Sequence, residues 1–348
     1  MSGERLTLTE IRGTPALCGA AYCEEFATRI IGFGKQSVDP TPARLAYARR
    51  CWKYIEKSAP TSAAFLTGMA RAAGLSRDVS TLIALHEEIV HQPHCTAFVA
   101  TGEATRGGET ILAQNWDWSP ALYPWPGLLR LAMTGGPRML TYHYPGLWAC
   151  AGVNEAGLGL VWTGGGYMPK VAPVDGVPTY VLISEILRQP NVEAALACLN
   201  GMKHAGSFIF FLGDASGATA VVEAVPGKKH VDRTSPVMSR GNHYLCADII
   251  KCGKQIKPSR TKYTTLQRSE KMTELLGKYH GEISPETAKQ ILTDRSGDYP
   301  WLNQFPGGPK GWQLAGMTID SFFVMCNDCS FWTCRGGATL GPWQSDTP

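Results

Sequence analysis

The chain has 348 residues, 44% of them hydrophobic and 18% charged, enough for a large buried core in one big domain or two closely packed ones. A net charge of +4 with no clustered basic face argues against a nucleic-acid binder, and no run approaches the roughly 18 apolar residues that span a bilayer. The 38 glycines and 23 prolines point to many turns and strand ends, not to disorder.

The opening residues, MSGERLTLTEIRG, carry mixed charge and no apolar stretch, so no secretory signal is expected and the default location is the cytoplasm. Eleven cysteines in a reducing compartment are expected to be mostly free thiols. The first 94 residues read as helical. Ala20–Ile31 runs without a breaker, and Pro42 starts a helix over Ala43–Lys57, where Leu45, Ala48, Cys51, Trp52 and Ile55 keep a 3–4 spacing. Thr61–Ala73 and Arg77–Val90 are two more helices, and Gln92-Pro93-His94 is extended because proline ends a helix. The texture then changes at Cys95. Cys95–Thr101 and Thr110–Trp116 read as strands joined by a Gly-containing turn. Further strands are expected at Arg138–Tyr144, Leu147–Val153 and Gly157–Thr163. Helices follow at Tyr180–Arg188 and Val192–Asn200, then strands at Ser207–Asp214 and Thr219–Val225. Helices at Tyr263–Leu276 and Pro285–Thr293 precede a last hairpin turning at Asn327-Asp328. The basic residues of 251–271 are spaced along a loop and then a helix, which predicts a solvated face. Helices in blocks around hairpin strands predict an α+β sandwich of layers with antiparallel sheets.

Two cysteine and histidine groups are weighed as metal sites and set aside. Cys326, Cys329 and Cys334 lie on a hairpin with no second pair to complete four zinc ligands, and His86, His91 and His94 fit no standard ligand spacing. No metal, no coenzyme A motif and no other cofactor is expected.

The chemistry concentrates in His94-Cys95-Thr96 and Gln114-Asn115-Trp116-Asp117. Cys95 begins a strand and Asp117 ends the next strand of the same hairpin, so pairing brings the two together. A carboxylate beside a cysteine gives no thiolate stabilisation, because like charges repel. The pair makes sense if Cys95 carries a free α-amino group, which holds a positive charge and acts as the base for its own thiol.

On these residues the sequence resembles the acyl-coenzyme A:6-aminopenicillanic acid acyltransferase family, the C45 peptidase group of N-terminal-nucleophile hydrolases. Cys95-Thr96 and Gln114-Asn115-Trp116-Asp117 resemble its processing site and the motif one hairpin later. Ile11–Pro15, Val153–Leu158, Gly241–Leu245 and Asp294–Pro300 resemble further family motifs in order. The resemblance implies a four-layer αββα sandwich and self-cleavage between His94 and Cys95. It implies a helical segment 1–94 and a β-rich catalytic segment 95–348, held together as an α/β heterodimer within one globular unit, with a higher homo-oligomer open. It implies Cys95 as nucleophile, Asp117 holding the α-amino group and the Asn242 side chain in the oxyanion hole. It implies the Thr163 backbone N–H as a candidate second donor, as in the related bile-salt hydrolases, and Trp116, Trp118 and Trp162 as candidate pocket walls. The substrate implied is a small N-acyl amide, hydrolysed by water or transferred to an amine. Acyl transfer from a thioester and an unprocessed, silent binding protein stay open as alternatives. So does a Cys–His protease using His243 as base. Two features depart from the family: His94 stands where members often carry glycine, and Trp301–Phe305 has no arginine where members often carry one after Tyr299-Pro300.

Overall fold

A computed structural model describes residues 5–90, 95–165, 170–254, 264–298, 300–305, 317–337 and 342–348. Strand β1 (Leu8–Gly13) leads into helices α1 (Pro15–Ser37), α2 (Pro42–Ser58), α3 (Pro60–Ala72), α4 (Arg77–Ala84) and α5 (His86–Val90). Strands β2 (Thr96–Gly102), β3 (Gly108–Trp118), β4 (Gly127–Met133), β5 (Met139–Tyr144), β6 (Leu147–Asn154) and β7 (Gly159–Gly164) follow. Then come α6 (Thr179–Ile186), α7 (Val192–Asn200), β8 (Phe208–Gly213), β9 (Thr219–Val225), β10 (Lys228–Asp232) and β11 (Val237–Arg240). The chain closes with α8 (Ala247–Ile250), α9 (Thr265–Lys278), α10 (Pro285–Leu292), β12 (Met317–Met325), β13 (Ser330–Arg335) and β14 (Trp343–Asp346).

Local chemistry explains several boundaries. Thr14 accepts a hydrogen bond from the Leu17 N–H and Pro15 occupies the first turn, so α1 starts before the expected Ala20 and runs on to Ser37. Thr41 with Pro42 starts α2 in the same way. The helix expected over Arg77–Val90 breaks at Leu85, whose N–H reaches back to Thr81, Leu82 and Ile83 at once, a tightened last turn that lets α5 set off separately.

Among the described residues the strands form an eight-stranded sheet, β1-β4-β5-β6-β7-β8-β9-β10, and a six-stranded sheet, β11-β2-β3-β12-β13-β14. The β1–β4 pair is parallel and the others are antiparallel. Strands β2, β3 and β12 of the smaller sheet face β7 and β8 of the larger. Helices α1 and α6 cover the outer face of the larger sheet, and α9 and α10 cover the outer face of the smaller. This is a four-layer αββα sandwich.

The layering buries both faces of β2 and β3, so even the polar Gln114, Asn115 and Asp117 of β3 are buried. Ala97, Val99 and Leu112 join the core between the sheets, whereas Phe98, Ala100, Ile111 and Ala113 join the core beneath α9 and α10. Helices α1 and α3 cross with backbones nearly touching. A Cβ at Gly19 would meet the Phe65 carbonyl oxygen at 2.0 Å, and one at Gly68 would meet that of Ala16 at 2.0 Å. Gly68→Ala is therefore expected to destabilise the protein by about 1–3 kcal/mol, since no side-chain rotation relieves a clash with backbone. Urea denaturation measures this, and an unchanged midpoint would show that the helices part freely.

Candidate active site

The β2–β3 register sets Thr96 opposite Asn115. Cys95, one residue outside β2, thereby lies at the end of β3 that carries Trp116 and Asp117, as the hairpin predicted. Cys95 is 7% exposed and its thiol sits 3.9 Å from the Asp117 carbonyl oxygen. Burial first, and the Asp117 carboxyl second, push it up to about 12. His94, the residue before it, lies outside the described residues, as do His91 and Tyr299.

Asp117 is fully buried. Its Oδ1 accepts the Thr318 hydroxyl at 2.5 Å, whereas Oδ2 has no hydrogen-bond partner among the described residues and lies 3.7 Å from the Arg268 guanidinium. Burial raises this carboxyl to about 7 against the lowering effects of Arg268 and Thr318. A buried acceptor oxygen without a partner among the described residues, on a residue that lines the same cleft as Cys95, suits an amino group.

Arg268 organises the site. It is 1% exposed and comes from α9, on the outer face of the smaller sheet. Its Nη1 donates to the Cys95 carbonyl at 2.7 Å and, in a very close contact, to the Thr96 hydroxyl. Its Nη2 donates to Asn242 Oδ1 at 2.9 Å and its Nε to the Thr264 hydroxyl at 3.1 Å. One fork thus spans the Cys95 backbone, Asp117 and Asn242. The solvated face expected for 251–271 does not include this residue. Thr265, Arg268, Met272, Leu275 and Leu276 form the buried stripe of α9, so Arg268 takes the place of an apolar residue. That 3–4 spacing was the signal available in the sequence.

Asn242 is fully buried, and its N–H donates to the Thr265 hydroxyl at 2.6 Å. With Oδ1 held by Arg268, its Nδ2 points to the β7 side and donates to the Gly164 carbonyl at 3.2 Å. Thr163 is buried, and its hydroxyl donates to the Gly241 carbonyl at 2.6 Å, joining β7 to the Asn242 segment. Its backbone N–H has a definite direction. The Gly165 N–H donates to Ser207 beside β8, so strand alternation sends the Thr163 N–H to β8 as well. The N–H groups on the opposite edge belong to Trp162 and Gly164. That edge is free because β6 pairs with β7 only as far as Gly152–Leu160. Gln114 takes the first, its Oε1 accepting the Trp162 N–H at 2.9 Å.

The cleft over Cys95 is walled by Trp116, Trp118, Trp162 and Tyr180, with Glu87, Asp117 and Gly164 completing it. Trp116 and Trp162 meet edge to face with centroids 5.8 Å apart. Trp162 is anchored by its indole N–H to the Cys150 carbonyl at 2.7 Å. Glu87 and Tyr180 carry no motif and were not singled out from the sequence. An apolar groove between α1 and α4, bordered by Ile30, Val38, Leu82 and Ile83, shares no wall with this cleft and holds no nucleophile.

His243 makes its contact elsewhere. Its Nδ1 lies 3.0 Å from the Thr265 hydroxyl, and burial with the nearby arginines lowers it to about 4. Among the described residues no three His, Cys, Asp or Glu side chains group to hold a metal ion. The thiols of Cys326, Cys329 and Cys334 turn to three different backbone carbonyls, those of Gly213, Glu155 and Gly337.

A family model described as acyl-coenzyme A:6-aminopenicillanic acid acyl-transferase matches residues 104–309, more than half of the chain. The match starts after Cys95 and includes Asp117, Asn242 and Arg268. Among solved structures, penicillin V acylase from Agrobacterium tumefaciens is 16% identical with a TM-score of 0.45, over 69% of this chain and 82% of that one. The Caenorhabditis elegans ortholog of N-acylethanolamine-hydrolyzing acid amidase is 12% identical with a TM-score of 0.46, over 67% and 93%. A mutant conjugated bile acid hydrolase from Clostridium perfringens is 12% identical with a TM-score of 0.47, over 73% and 92%. No curated protein matches.

Proposed function

We propose, since the chain belongs to the acyl-coenzyme A:6-aminopenicillanic acid acyl-transferase family, that it cleaves or transfers the acyl group of a small N-acyl amide through a thioester on Cys95. The observation that carries this is the convergence of Asp117, Asn242 and Cys95 on one buried arginine, with Asp117 Oδ2 left without a hydrogen-bond partner among the described residues.

The chain first breaks between His94 and Cys95. The thiol adds to the His94 carbonyl, the acyl group shifts from nitrogen to sulfur, and water hydrolyses the thioester. Residues 1–94 and 95–348 stay together because α1–α4 and the larger sheet share one core. The new α-amino group donates to Asp117 Oδ2 and serves as the base that takes the thiol proton. The thiolate attacks the substrate carbonyl. The Asn242 Nδ2–H turns from the Gly164 carbonyl to the oxyanion, and the Gly164 N–H on the same edge is the second donor. The α-ammonium returns its proton to the leaving amine, and water resolves the thioester; an amine in its place completes transfer. Hydrolysis is favoured because water is always present.

Asn242→Ala is expected to lower turnover about 10²–10³-fold with a smaller effect on substrate binding, because an oxyanion donor acts mainly in the transition state. The assay follows amine release from a panel of N-acyl amides by processed protein. An unchanged kcat in fully processed Asn242→Ala removes this residue from the oxyanion hole. No helix among the described residues is long and apolar enough to cross a membrane. All eleven cysteines are free thiols, which supports a reducing compartment such as the cytoplasm.

A further inference from the structure

We infer that Glu87 and the aromatic walls of the Cys95 cleft form a subsite for an ammonium group, so that the N-acyl amide taken by this chain carries a second, basic nitrogen. The inference rests on the reading of Cys95 as an amide-cleaving nucleophile. It starts from polar atoms left without partners. The Trp116 indole N–H and the Tyr180 hydroxyl are buried and meet no hydrogen-bond partner among the described residues; the indole N–H can only donate and calls for an acceptor such as an amide oxygen, whereas the hydroxyl can accept from an ammonium. The half-buried Glu87 carboxyl feels burial and Glu88 and no hydrogen bond to a described residue. All three belong to the walls of one cleft, beside the nucleophile. Buried polar groups without partners mark the place of a ligand that supplies them.

The sign of that ligand follows from the groups that face it. An anion would face Glu87 and Asp117 together, while the Arg268 guanidinium is engaged with Asp117, Asn242 and the Cys95 carbonyl. A purely apolar group would leave the Glu87 carboxyl covered and unpaired, which is costly. An ammonium group hydrogen-bonds to Glu87 and lies against the electron-rich faces of tryptophan and tyrosine rings. Burial and Glu88 push Glu87 up to about 8, and an ammonium ion against the carboxyl draws its proton off. Because Glu87 precedes the scissile bond, substrate choice would reside in the segment that self-cleavage separates from the nucleophile.

The test compares matched substrates on processed protein. One pair is 6-aminohexanoyl and hexanoyl p-nitroanilide; the other is N-phenylacetylcadaverine and N-phenylacetylpentylamine. Wild type is expected to favour the ammonium member of at least one pair by roughly 10–100-fold in kcat/KM, and Glu87→Gln to bring that ratio to within about threefold of one. Equal turnover of both members by wild type overturns the inference and leaves the amidase reading standing. Equal losses on both members in Glu87→Gln overturn it too, since that pattern belongs to a group serving the α-amino group of Cys95. Calorimetry of 6-aminohexanamide and hexanamide with intact Cys95→Ala, whose cleft is already formed, separates the two readings. Selective binding of the amine by a chain whose wild type cleaves neither pair would keep the ammonium subsite and discard the enzymatic reading.

Discussion

Cys95→Ala is expected to migrate as one chain of 37.7 kDa with no turnover, whereas wild type separates on a denaturing gel into pieces of about 10 and 27 kDa, by share of the chain. In the proposed mechanism the sulfur is the attacking atom in both self-cleavage and turnover, so its removal stops both at the first bond-forming step. Alanine fits a site already 7% exposed, and the fold should survive. Burial and Asp117 hold the thiol at about 12 in the intact chain, so little thiolate exists at neutral pH. Self-cleavage should therefore quicken by about tenfold per pH unit between pH 7 and 9, as the thiolate fraction rises. Amino-terminal sequencing of the larger wild-type piece should begin at Cys95. Finding only Met1 or Ser2 in active protein would falsify the N-terminal-nucleophile reading and favour a Cys–His pair or a silent binding protein.

Arg268→Met should both destabilise the protein and disable it. The guanidinium is 1% exposed and faces a fully buried Asp117 carboxyl at 3.7 Å. Removing one partner of such a pair strands the other, which costs about 3–5 kcal/mol. The same change frees Asn242 Oδ1, so the side-chain amide is no longer held with Nδ2 toward the cleft, and turnover should fall by about 10³ or more. Arg268→Lys separates the two effects. A lysine keeps the charge and much of the stability but lacks the planar fork that reaches the Cys95 carbonyl and Asn242 together. Denaturant midpoints for Arg268→Lys should therefore lie near wild type while kcat stays low. A processed Arg268→Lys protein with wild-type kcat would show that the arginine only supports the fold.

The hairpin that brings Cys95 to Asp117 was legible because it is local. Two apolar runs joined by a short Gly-containing turn define their own register, and the register defines which residues meet. The blocks of helix and strand, and hence the layered α+β architecture, follow from periodicity in the same way. Three things depended on contacts between distant parts of the chain. The parallel pairing of β1 with β4 joins Leu8–Gly13 to Gly127–Met133, neither of which declares a partner by its own pattern, and both strands were missed. The direction of the Thr163 N–H depends on which edge of β7 is taken by β8 and where β6 departs. The burial of Arg268 and the seat of Glu87 in the cleft wall depend on how α9 and α5 dock. A charged residue in a helix reads as solvated unless something buried elsewhere can pair with it. The groups that pair with Arg268 belong to the Cys95–Asp117 hairpin and the Asn242 segment. Local sequence reports the period of an element and the residues that end it, whereas a buried charge reports its partners, which only the packed sheets and helices bring within reach.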